Sequence, residues 1–183
     1  MKNIIFLLLI SFVVLSCTCK KKTAEENKKN TTLTVDSCPE GFACRLEVVP
    51  NHTMVVKTDG TGAVYFELEA LKGTTVYRYE ISQNQDQKYM DGGYREEIIF
   101  ELPSDTADLN LSDTDLQQVK LIFGVWCYCK GKAGNYTITK GNFSKKGNTF
   151  SVDFPAVVAD QKMSFARFEA SPSRSIGTSK GEE

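Results

Sequence analysis

V-K-L-I-F-G-V-W-C-Y-C-K, running from Val119 to Lys130, is the longest strand-like run in the chain and carries its only tryptophan. At a strand's period of two, Val119, Leu121, Phe123, Val125, Cys127 and Cys129 share one face. Lys120, Ile122, Gly124, Trp126, Tyr128 and Lys130 share the other. The first face is wholly apolar plus thiols, so this run is expected to be the central strand of a β-rich core.

The flanking segments repeat that period. Upstream, Phe42 to Val49, Thr53 to Lys57, Ala63 to Glu69, Thr75 to Ser82 and Tyr94 to Leu102 read as strands, all alternating except Thr53 to Lys57, which is a short apolar run. The turn Asp59-Gly-Thr-Gly62 joins the second and third of these as a hairpin. Ser112-x-x-Asp115 has the form of a helix N-cap followed by an acidic third residue, which places one short helix before the central strand. Downstream, Asn135 to Lys140, Thr149 to Phe154 and Lys162 to Ala170 are further strands. Lys145 to Asn148 is a turn, and a slip in alternation near Ala166 suggests a bulge. Eight or nine short strands with at most one short helix define a mainly β chain, an antiparallel β-sandwich or barrel-like fold. At 183 residues, 41% hydrophobic and 25% charged, the chain suits one globular domain.

The N-terminus carries an address. Met1-Lys2-Asn3 is basic, Ile4 to Leu15 is apolar apart from Ser11, and Val14-Leu15-Ser16-Cys17 closes the run. This quartet resembles the bacterial lipobox, and the chain as a whole resembles the small β-rich lipoproteins of bacterial envelopes. The resemblance implies cleavage before Cys17, diacylglycerol on its sulfur and acylation of the freed amine, hence permanent anchoring in a lipid bilayer. Thr18 to Thr34 is polar and lysine-rich, with no apolar period, and reads as a tether. The expected organisation is a signal peptide (1–16), a lipidated N-terminus and tether (17–34), one β-sandwich domain (35–170) and a disordered tail (171–183). Lys20 to Lys22 directly after the anchor points to an outer-membrane lipoprotein facing the periplasm.

Beyond Cys17 the chain has Cys19, Cys38, Cys44, Cys127 and Cys129, and export favours disulfides. Same-face neighbours in an extended strand lie about 6.6 to 7 Å apart, so a Cys127 to Cys129 bond needs a kink. Cys38 and Cys44 are therefore expected to bridge to Cys127 and Cys129. A Cys44 to Cys127 link would contribute about 4.5 kcal/mol by chain entropy. The alternative is Cys38 with Cys44 and Cys127 with Cys129, the second pair across a distorted turn. The same thiols admit a thiol-redox or soft-metal role for the Cys-x-Cys pair, including a four-sulfur zinc site.

Other chemistry finds little footing. The formal charge of −1 gives no nucleic-acid footprint. His52, the only histidine, reads as a surface loop residue and makes a Ser-His-Asp triad unpromising. No nucleotide or nucleophile-elbow pattern occurs. Asp105, Asp108, Asn110, Asp113 and Asp115 lack EF-hand spacing, and helix capping accounts for the last two acids. Glu96-Glu97 and Glu67/Glu69 read as solvated strand faces. Tyr65, Trp126 and Tyr128 fall opposite the apolar faces and are the candidate binding surface. No catalytic residue, metal ligand or cofactor is assigned. The expectation is a non-enzymatic binding or accessory lipoprotein whose partner is another envelope protein.

Overall fold

The computed structural model describes residues 33–34, 38–83 and 93–170. The expected signal peptide, Cys17, Cys19, most of the tether and the C-terminal tail lie outside the described residues.

The described chain is mainly β, and every strand pairing is antiparallel. In order the strands are β1 (Leu33–Thr34), β2 (Ala43–Thr58), β3 (Val64–Gln83), β4 (Tyr94–Pro103), β5 (Leu109–Ser112), β6 (Ile122–Trp126), β7 (Gly134–Thr137), β8 (Asn142–Lys146), β9 (Thr149–Asp153) and β10 (Phe165–Ala170). One 3₁₀ helix, Asp113–Val119, precedes β6. Nine of these strands are four residues or longer, as the periodicity required. They form two five-stranded sheets, β1-β10-β9-β8-β5 and β2-β3-β4-β6-β7. Leu33 and Thr34, placed in the tether by composition, already pair with Ala170 and Glu169.

The core lies between the sheets and is aromatic. Tyr79 of β3 stacks on Phe168 of β10 at 4.5 Å, and Phe100 of β4 meets Phe143 and Phe150 of the other sheet at 4.9 and 5.4 Å. Rings of this size fill the roughly 10 Å between packed sheets.

The second sheet also curls on itself. At Pro50 the β2–β3 register breaks: Asn51 on β2 stands opposite residues 71–74 of β3, and pairing resumes at His52 with Ala70. Asn51 and Gly73 both have positive φ (58° and 86°), and the Asn51 side-chain oxygen accepts the Gly73 N–H at 3.3 Å. The outer half of the hairpin therefore turns a corner. Val64 comes round to pair with Asn135, so β3, β4, β6 and β7 close into a four-strand barrel. Met54, Val76, Ile99 and Ile122 form a second buried cluster there. Glu101 holds the corner by accepting from Thr53 Oγ1 (2.8 Å) and the Met54 N–H (2.5 Å). Lys120 Nζ bonds Glu101 at 2.8 Å and the Met54 carbonyl at 2.6 Å.

Three expectations are corrected. The central strand is β4; Val119 to Lys130 supplies only β6, because Lys120 adopts a left-handed conformation (φ 50°) that ends the helix and delays the strand. Its phase nevertheless holds, with Leu121, Phe123 and Val125 buried between the sheets. The helix forms where expected, but Ser112 makes no side-chain cap and Asp113 Oδ1 accepts the Gly141 N–H at 3.2 Å. There is no bulge at Ala166, since β10 pairs in unbroken register with β9. Met163 is buried out of phase because it precedes the strand, in a segment pinned by Glu96.

Candidate functional site

On the barrel side of the second sheet, β2, β3 and β4 carry alternating charges. Arg45 and Glu47, Arg78 and Glu80, and Arg95 and Glu97 all fall there. Antiparallel register sets Glu47 opposite Arg78 and Arg45 opposite Glu80, but it also sets Glu80 opposite Glu97. That like-charge pair is unfavourable by itself. Two arginines neutralise it: Arg78 Nη2 lies 2.5 Å from Glu97 and 3.7 Å from Glu80, and Arg95 Nε lies 3.9 and 3.8 Å from them.

Glu97 is the hub, with only 2% of its surface exposed. Beyond the Arg78 fork it accepts the Trp126 indole N–H at 2.7 Å, which fixes the ring's plane. Arg95 lies over the same ring, 5.4 Å from its centroid. Across from Glu97, position 124 is glycine for a steric reason. A Cβ there would stand 2.8 Å from Glu97 Cγ and 2.9 Å from Asn135 Oδ1.

Where β6 ends, these groups reach the surface. Ser82 and Gln83 of β3, Tyr94 and Arg95 of β4, and Trp126, Cys127 and Tyr128 line an open recess of 550 Å³. Trp126 is 37% exposed and Tyr128 90%, the latter in the bend just past the strand. Tyr94 forms the recess wall, and its hydroxyl donates to Glu96. Burial first, and then the hydrogen bond to that carboxylate, hold the Tyr94 phenol well above its ordinary range. Glu96, fully buried, also accepts the Lys162 and Met163 N–H groups at 2.7 and 2.6 Å, and so ties the approach to β10 onto β4.

Of the candidate binding surface, Trp126 and Tyr128 come together. Tyr65, 39% exposed, lies on the outer hairpin and is not among the recess residues. All four candidate cysteines are disulfide-bonded, but the expected cross-strand pairing is corrected: Cys38 bonds Cys44, and Cys127 bonds Cys129. The rung Cys44–Ile81–Glu96–Val125 puts three inter-strand steps, about 14 Å, between β2 and β6, too far for a disulfide. Conversely, β6 stops at Trp126 and the bend brings the Cys127 and Cys129 Cα atoms to 5.1 Å.

The carboxylates depart from expectation too. Glu96 and Glu97 are both buried and point to opposite faces of β4, whereas Glu67 is exposed and ion-pairs with Lys57 at 2.5 Å. Their adjacency inside the apolar strand Tyr94–Pro103 was the available signal, because consecutive strand residues face opposite ways and both faces here are covered. His52 sits within β2, half-buried, with Nδ1 2.9 Å from the Pro50 carbonyl. In the acidic loop Asp108 accepts the Gly147 N–H at 2.8 Å. Among the described residues no three His, Cys, Asp or Glu side chains converge as metal ligands. Compared with known proteins, the chain matches no family model, no curated protein and no solved structure.

Proposed function

We propose that this protein is a lipid-anchored component of the bacterial envelope that works as a non-enzymatic binding or accessory subunit, with the Trp126–Tyr128 recess as its contact face for another envelope protein. The observation that carries it is the mounting of Trp126. Its N–H is fixed by Glu97 and its face is covered by Arg95, so a large amphipathic ring is held at the surface with little rotamer freedom left to lose on binding. Tyr128 beside it adds an unobstructed second aromatic. The buried carboxylates support a binding role. Glu97 is engaged by Arg78 and Trp126, and Glu96 by two backbone amides and Tyr94, so both serve the fold.

Anchorage rests on the Val14 to Cys17 resemblance. Among the described residues no helix is long and apolar enough to cross a membrane. The test is a photo-crosslinking amino acid at position 128 in the lipidated protein in its own membrane. A discrete protein adduct is expected, lost with Trp126→Ala and missing when the crosslinker sits at Glu67. Equal labelling from positions 128 and 67 overturns the assignment. Mass spectrometry of the mature N-terminus reads the Cys17 lipid directly, and an unmodified Cys17 overturns the anchor.

A further inference from the structure

The two disulfides have different settings. Cys38–Cys44 ties a loop to the start of β2, with Cys44 against the core and the Tyr79 hydroxyl donating to its sulfur at 3.4 Å. Cys127–Cys129 joins no two strands, because both partners lie in the bend after β6 and are separated by Tyr128 alone. A three-residue loop restricts the unfolded chain little, so this bond is worth less to the fold than any longer-range crosslink. Its placement is also asymmetric. Cys127 packs against the core and lines the recess beside Trp126 and Tyr128, while Cys129 is outside both sets. Cys129 opens a turn closed by the Lys132 N–H on its carbonyl at 3.1 Å, with the exposed Lys130 next in sequence. Both cysteines are half-buried, so a thiolate has access.

We propose that Cys127–Cys129 is a thiol–disulfide exchange site for a cysteine-bearing polypeptide docked on Trp126 and Tyr128. A substrate thiolate in the recess attacks Cys127 Sγ, which forms a mixed disulfide as the Cys127–Cys129 bond breaks. Cys129 leaves as a thiolate and takes a proton from water. A second substrate thiolate then attacks the substrate sulfur of the mixed disulfide and releases Cys127. Two electrons and two protons have passed from the substrate dithiol to the protein, and the substrate gains a disulfide. This uses the recess of the proposed function as the docking face, but the reactivity of the bond is read separately with a small dithiol.

The wild-type mature chain is titrated natively with dithiothreitol, and the freed cysteines are located by differential alkylation and mass spectrometry. Cys127 and Cys129 are expected to be reduced at least tenfold faster than Cys38 and Cys44. A stoichiometric reduced two-cysteine peptide should then become oxidised as the protein pair is reduced, and Tyr128→Ala should slow that reaction at least threefold. Equal reduction of the two disulfides, or a need for denaturant, overturns the exchange site. A peptide that stays reduced, or a rate indifferent to Tyr128→Ala, overturns docking and transfer. The crosslinking result at position 128 is unaffected by any of these outcomes, so failure here is distinguishable from failure of the binding role.

Discussion

Glu97→Gln tests whether the buried charge network sets the stability of the second sheet. Removing one partner of a buried ion pair costs about 3 to 5 kcal/mol when the other charge is left unpaired. Three features of the structure lower that figure. Arg78 keeps Glu47 and Glu80 at 3.7 Å, its side chain is 28% exposed, and neutralising Glu97 relieves its opposition to Glu80. The glutamine oxygen still accepts from Trp126. The expected loss is about 2 kcal/mol for Glu97→Gln and about 4 for Glu97→Ala, which also orphans the indole N–H and opens a cavity. Glu47→Gln, at the rim, should cost no more than about 1 kcal/mol. Because Trp126 is the only tryptophan and is hydrogen-bonded to Glu97, its fluorescence reports both the site and global unfolding in urea. For a urea slope of about 2 kcal/mol/M, the Gln variant's midpoint should fall by about 1 M. A midpoint within about 0.2 M of wild type, or an equal loss for Glu47→Gln, would refute the hub role of Glu97.

Four further outcomes are expected. Phe100→Ala, which removes the ring meeting Tyr77, Phe143 and Phe150, should cost about 3 to 5 kcal/mol in the same urea assay. Lys120→Ala should speed amide exchange in residues 53–58 and 64–70 while β8 to β10 remain protected, because it loosens the corner clamp; uniform exchange across both sheets would contradict this. The raised Tyr94 pKa gives a contribution present below the unfolded tyrosine value of about 10 and lost as pH rises through the higher folded value. Ultraviolet titration of Tyr94→Phe should therefore lack one late-ionising phenol of the wild type. Asp59 runs the other way: hydrogen bonds from Thr61 and Ala63 hold its pKa below the usual carboxylate value, so its support of the turn is present above about pH 4 and lost as pH falls through the folded value. The chemical shifts of the Thr61 and Ala63 amides should follow that titration.

Local alternation was enough to place most strands, the hairpin turn at Asp59 and the buried phase of Leu121, Phe123 and Val125. It missed β5 and β8, where Leu111 and Phe143 are the only buried residues and no period can build up. Half of the candidate site was legible, in Trp126 and Tyr128, since each was out of phase with an apolar face. Arg78, Arg95 and Glu97 were not. A charged residue in an alternating strand ordinarily faces water, and only closure of the barrel covers this second face.

What the sequence determined by itself is the β class, the strand order along the chain and which side chains share a face, because these follow from a two-residue period and from turn residues acting over a few positions. What only the tertiary structure decided is which strands are neighbours. The intervening β3 and β4 keep Cys44 about 14 Å from β6, the corner at Asn51 and Gly73 turns an open sheet into a closed one, and that closure buries Glu97 beneath Trp126. Such outcomes depend on long-range packing free energy summed over many residues, which no local pattern encodes.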